Sequence, residues 1–245
     1  MLHIHSQARA LFSLRVTWIY MAIIAASMAA LPMLFTIGSS REDSLSFSGF
    51  FESGQLVLIV VLFGATMIPG SDLTKGATAW CYLSHKNRFA LVVAQAALLL
   101  AAFLAAASLG VAVGVLGVFA LGFRVDFGLS GEDWANVAAV YSQWIVLGAI
   151  ALLLTYILGR AVYASLLMIL DTLVLEVSLP LLGKDWAETL AQFLPLRNSV
   201  VAVQGVEAAG MGTDVGQAAA AGIVVATVGV LGLLAWRAVN RRAVS

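Results

Sequence analysis

Few residues in this 245-residue chain are of a type that does covalent chemistry, and none is spaced for it. His3 and His5 stand close together near the start without an acidic neighbour, short of the three or four ligands a zinc site needs. Cys81 is the single cysteine, which excludes an internal disulfide and a cysteine-based metal cluster. A phosphate-binding loop needs G-x-x-x-x-G-K-[ST]; the nearest stretch, Gly183-Lys184-Asp185, lacks the hydroxyl that a nucleotide-bound magnesium requires. Hydroxyl, histidine and carboxylate residues form no nucleophile–base set. The expectation is no catalytic residue, no metal site and no cofactor held by this chain.

Two acids invite a different chemistry. Asp171 and Glu176 interrupt a long apolar stretch beginning after Arg160, and at a helix centre facing lipid each would cost about 2.5–3.5 kcal/mol or more. They should therefore face protein or water. Five residues apart on an α-helix is about 140° of rotation, so they are expected on different faces. One reading makes them the polar lining of a path for a cationic or amphipathic cargo, Glu176 being nearer the outer mouth. The other has neighbouring hydroxyls and backbone satisfy them structurally. Glu52, at the edge of an apolar stretch, reads as interfacial.

The elements that must position these acids follow from composition. Hydrophobic residues are 62% of the chain and charged ones 11%, with mean hydropathy +1.00; soluble domains average about 45–50% and about 25%. The whole of 1–245 reads as one all-α integral membrane domain. A span needs about 20 apolar residues, and six segments qualify: Val16–Ile37, Phe50–Pro69, Phe89–Ala120, Val137–Leu158, Ala161–Leu182 and Ala218–Trp236. The first follows a polar, basic start and is long enough to span, so it is read as a retained span rather than a signal peptide. Residues 1–15 mix His3, His5, Arg9 and Arg15 with apolar residues, as in a short helix lying in the interface. The Gly159-Arg160 junction makes spans four and five adjacent and antiparallel.

Basic residues set the orientation. With both termini in the cytoplasm, Arg9, Arg15, Lys75, Lys86, Arg88, Arg160, Arg237, Arg241 and Arg242 lie inside, and only Arg41, Arg124, Lys184 and Arg197 outside. Such a bias over short loops orients a multi-pass protein. The acids run the other way, with Asp72 alone inside.

Between spans two and three, residues 72–88 are basic, polar and aromatic where a plain turn would be short. Asp72, Lys75, Gly76, Trp80, Tyr82 and Arg88 give this loop the character of a docking element for another protein. The outer stretch 184–217 carries Trp186, Leu190, Phe193 and Leu194 at helical spacing before Pro195, then a second apolar run over Asn198–Gly210. It reads as a re-entrant pair of short helices bent at Pro195 and leaning on the bundle. Small residues Gly110, Gly114 and Gly117 in span three, and Gly222, Ala226, Gly229 and Gly232 in span six, favour close helix packing within the chain over a dimer face.

Six spans, inner termini and this first inner loop together resemble the permease subunits of ABC-2-type transporters. In that family the loop places an acid, a glycine and a basic residue where Asp72, Gly76 and Arg88 stand here. Ala77 replaces the family's threonine, His85 its proline, and Gln95 stands near its lysine. The outer stretch Asp185–Gly205 is similar to the extracellular re-entrant helices that precede the last span. The resemblance implies a dimer, taken here as a homodimer, with two copies of a separate nucleotide-binding ATPase subunit docked on the 72–88 loop as a coupling helix. ATP and magnesium would sit on that partner. The implied function is export of an amphipathic or hydrophobic substrate (a peptide antibiotic, drug or lipid) across a bacterial plasma membrane, with no role for nucleic acid. The competing readings are a secondary transporter or channel using Asp171 and Glu176 as ion sites, and a membrane anchor for a soluble partner.

The topology is tested by single cysteines placed in a Cys81→Ala background. Arg41→Cys and Ser130→Cys should react with an impermeant thiol reagent from outside the cell, and Asn240→Cys only after lysis; the reverse pattern would overturn the orientation.

Overall fold

The structure, a computed structural model, describes residues 2–36, 44–52, 54–74, 88–206 and 215–241. Six helices are long and apolar enough to cross a membrane. In chain order the elements are α1 (Leu2–Ser13), α2 (Arg15–Phe35), β1 (Ser44–Ser46), α3 (Gly49–Glu52), α4 (Gly54–Thr74), α5 (Arg88–Ala120), β2 (Arg124–Asp126), α6 (Gly131–Leu158), α7 (Ala161–Leu181), α8 (Asp185–Ala191), α9 (Pro195–Gln204) and α10 (Gln217–Arg241). The six long, apolar helices are α2, α4, α5, α6, α7 and α10, with ends within about six residues of the apolar segments. α6 starts earlier than hydropathy implies, because Ser130 and Asp133 form a reciprocal cap. The Ser130 hydroxyl accepts from the Asp133 N–H at 3.2 Å, and Asp133 Oδ2 accepts from the Ser130 N–H at 2.9 Å.

α1 is a helix of its own, joined to α2 by a tight elbow at Leu14. The Thr17 hydroxyl and the Trp18 indole N–H donate back across it to the carbonyls of Leu11 and Phe12, each at 2.8 Å. Gly159, at φ 72°, ends α6 in the left-handed conformation that glycine adopts at low cost. α7 then starts at Ala161 with only Arg160 between, so α6 and α7 run antiparallel side by side. Pro32, Pro69 and Pro180 lie inside helices, as buried and membrane helices permit when neighbours compensate the lost hydrogen bond.

The glycines of α5 divide from those of α10. A methyl group at Gly110 would stand 2.4 Å from the Ala25 carbonyl oxygen, and one at Gly114 3.2 Å from the Ala29 Cα. The stripe therefore lets α2 and α5 meet backbone to backbone, the intrachain contact expected. In α10 the expectation fails. Gly222 and Gly229 meet nothing within 4 Å among the described residues, and Gly232 only the rim of Phe89 at 3.9 Å. α10 is the least covered of the six helices, with Val225, Val230, Leu233 and Trp236 exposed.

Two further features depart from the sequence reading. β1 and β2 pair in parallel, Ser44 with Arg124 and Ser46 with Asp126, adding a two-stranded clasp to an otherwise helical chain. Phe47, Phe50, Phe51, Phe127, Tyr141 and Trp144 cluster beside it and close this end of the bundle. The second helix of the outer stretch lies at Pro195–Gln204, earlier than the Asn198–Gly210 run. Pro195 opens it at the first turn, where a missing N–H is harmless and φ is already helical.

Substituting Gly110→Val should lower thermal stability in detergent by about 1–3 kcal/mol, the cost of overpacking a rigid contact. Gly222→Val should stay within about 0.5 kcal/mol. Equal effects of the two would contradict the α2–α5 seam.

Candidate functional site

Two groups of polar residues stand out inside this apolar bundle. At the end holding the α4 C-terminus and the α5 N-terminus, Gln95 Nε2 donates to Asp72 Oδ2 at 3.1 Å. The Tyr156 hydroxyl donates to Gln95 Oε1. Gln95 and Tyr156 are buried, and a buried amide is tolerable when donor and acceptor are both used. The chain of contacts runs from the last turn of α4, through α5, to the last turn of α6. Of the docking residues inferred from sequence, Asp72 and Arg88 stand at the ends of the helices flanking the loop. Lys75, Gly76, Trp80 and Tyr82 lie outside the described residues, as do Cys81 and His85; the side chains of His3 and His5 do too.

In the middle of α7 the sequence reading needs correction. Residues Leu170–Leu175 of α7 form a π-helical segment, and the Glu176 N–H bonds the Asp171 carbonyl, an i→i+5 step. This wider turn brings residues five apart close to one another along the axis. Asp171 and Glu176 are therefore not splayed by about 140° as an α-helix would require; their carboxyls lie within electrostatic reach of each other. Nothing in the residue types marks this change of repeat; Pro180, further along α7, supplies no N–H to the Glu176 carbonyl.

The two acids nonetheless have different surroundings. Glu176 is buried, and its Oε1 accepts the Leu196 N–H at 2.6 Å while Oε2 accepts the Arg197 N–H at 3.4 Å. Those are first-turn N–H groups of α9, which no intrahelical carbonyl can satisfy. Glu176 thus caps α9 from another helix, placing an acid at the positive end of the helix dipole, with the buried Arg197 nearby. The Asn198 amide fastens the bend by donating to the carbonyls of Gln192 and Leu194, each at 2.8 Å. α9 packs onto α6 and α10, and Gln217 Nε2 donates to the Ala202 carbonyl at 3.0 Å. The hairpin leans on the bundle, as expected.

Asp171 is half-buried, flanked along α7 by exposed Leu167, Leu170 and Val174, and its carboxyl has no hydrogen-bond partner among the described residues. Next to it, the Thr172 hydroxyl is buried and also without a partner. Unsatisfied polar atoms are rare enough in folded proteins to require an explanation. Here they adjoin a π-helical segment, a distortion frequent at functional sites. The sequence reading missed Thr172, Gln95 and Tyr156 as participants; their only signal is being polar or amphipathic inside apolar segments. Among the described residues no group of three histidine, cysteine, aspartate or glutamate residues gathers to hold a metal ion.

Replacing Glu176 by Ala should expose the Leu196 and Arg197 amides. Hydrogen exchange in the peptide covering 194–199 should speed up by about ten- to a hundredfold, the consequence of losing about 1.5–3 kcal/mol of bonding to an acidic group. Glu176→Gln, which keeps an acceptor oxygen, should fall between. Unchanged exchange in the Ala variant would show that Glu176 does not hold α9.

A scan of protein-family models finds none that matches the chain, and a search of curated proteins finds no match either.

Proposed function

We propose that this chain is the transmembrane permease subunit of an ATP-binding cassette exporter. It works as a pair with a second copy of itself and is driven by separate nucleotide-binding subunits on the 72–88 loop. The observation that carries this reading is the α8–α9 hairpin. It folds back onto the bundle between the fifth and sixth spanning helices, fastened by a buried acid of the fifth. That is the layout the resemblance to ABC-2 permeases implies, with the same number of spanning helices.

The mechanism assigns each polar group a task. A nucleotide-driven movement of the docked subunit pulls on the 72–88 loop. Asp72, Gln95 and Tyr156 pass it to α4, α5 and α6 together, since buried hydrogen bonds resist sliding of one helix past the next. Glu176 holds the hairpin over the opposite end. Asp171, part-exposed among leucines and valines on α7, would be costly against lipid. It is accommodated if a second copy pairs across this face and encloses a path, where an acid on an apolar wall offsets the desolvation of a cationic, amphipathic cargo. No catalytic residue is required of this chain.

A secondary transporter with Asp171 and Glu176 as ion sites is the second reading. The π-helical segment that draws the two acids together favours it. Co-purification separates the two. Co-expressed with an ATPase encoded beside it, the chain should capture that subunit, and Gly76→Leu should reduce capture or coupling while the chain stays in the membrane. Asp171→Asn should cut export of a cationic amphiphile by at least severalfold at normal protein level. Transport that needs no ATPase but follows a proton or sodium gradient would replace the exporter reading with the second.

A further inference from the structure

At the end of the bundle away from the hairpin, α4 and α7 enclose a cavity of about 670 Å³. Its lining includes Met67, Gly70, Arg160, Val162 and Tyr163. At its floor the helices touch: a methyl group on Gly70 would stand 2.4 Å from the Ala161 Cβ. Its mouth is open, with Val162 and Tyr163 more than half exposed at 57% and 52%. The Ser71 hydroxyl, also in the lining, donates to its own helix at the Ile68 carbonyl, 2.8 Å away. The cavity therefore offers an apolar wall and the Arg160 cation.

Arg160 is held at the rim. It follows Gly159 in the junction between two spanning helices, so it stands at the end of both, where a membrane boundary falls. Its guanidinium lies 5.7 Å from the centre of the Tyr163 ring, a cation–π arrangement that orients the charge. Tyr163, less than one turn further along α7, is the type of residue that sits at the headgroup boundary.

We infer that this cavity binds one anionic phospholipid, its phosphate on Arg160 and an acyl chain along Met67 and Val162. Basic pockets between spanning helices are suited to acidic headgroups. An apolar cavity of this volume argues against a free phosphate, which would leave most of the wall wetted and gain nothing from it. Arg160 can reach the headgroup layer with its charge while its stem covers apolar surface. The site depends on neither the ATPase nor the cargo of the exporter reading.

Native mass spectrometry of the full chain in mild detergent tests this. Phosphatidylglycerol, phosphatidylcholine and glycerol 3-phosphate are titrated separately. The parent should retain one phosphatidylglycerol about fivefold more tightly than phosphatidylcholine, the factor for one cation near an acidic surface, and should not retain glycerol 3-phosphate. Arg160→Gln should abolish the preference, whereas Arg237→Gln, an exposed cation at the end of α10, should keep it. Val162→Trp, which fills the mouth but keeps Arg160, should weaken both lipids and decides the matter if Arg160→Gln does not fold. Equal retention of both lipids by the parent, a preference that survives Arg160→Gln, loss of it in Arg237→Gln, or undiminished binding in Val162→Trp would each overturn the lipid site. So would retention of glycerol 3-phosphate alone.

Discussion

A backbone N–H or C=O that lies away from water must find its partner within the protein, and this structure is organised by that demand. The six long helices meet it internally. What remains are the places where helices end or break, and each has a local solution. Ser130 and Asp133 close the start of α6, and Gly159 ends it. The Thr17 and Trp18 side chains brace the α1–α2 elbow. The start of α9 is different, because its cap comes from Glu176, 20 residues earlier on another helix. A short helix of this length has little stability of its own, so its position depends on that carboxyl and on the packing against α6 and α10.

This arrangement gives the two acids of α7 separate characters. Glu176 is occupied by the hairpin, and Asp171 is left with no hydrogen-bond partner among the described residues. The π-helical segment makes their proximity possible, and within it the buried Thr172 hydroxyl has no partner among the described residues. A π-helical segment beside unsatisfied polar atoms on an otherwise apolar helix is a combination frequent at functional sites. On the exporter reading, the fixed acid and the open acid belong to the gate and the path respectively.

The far end has the opposite quality. The Asp72–Gln95–Tyr156 contacts bind three helices into one unit beside the loop between α4 and α5, whereas the glycine stripe of α5 meets α2 towards the other end of both helices. The loop end also carries the α4–α7 cavity, whose floor is set by Gly70 against Ala161. Three helices joined by buried hydrogen bonds stand at this end, and the hairpin fastened by Glu176 stands at the other. α7 reaches both ends.

The sequence by itself determined the helices. Apolar runs of spanning length can bury their backbone in hydrocarbon in essentially one way, so the six segments and the bend at Pro195 were legible to within about six residues. It also marked Asp171 and Glu176 as anomalies, because a charge in an apolar run is visible without a fold. Tertiary structure decided their roles. Whether five residues place two side chains near each other depends on the helical repeat, and the π-helical segment brings the two carboxyls within electrostatic reach while their surroundings stay different. That Glu176 meets the start of α9, that the glycines of α5 are filled by α2 while those of α10 are open, and that Gln95 joins Asp72 to Tyr156 are all contacts between distant parts of the chain. Periodicity records which face of a helix is apolar, but in a chain apolar on nearly every face it carries no information about which neighbour each face will meet.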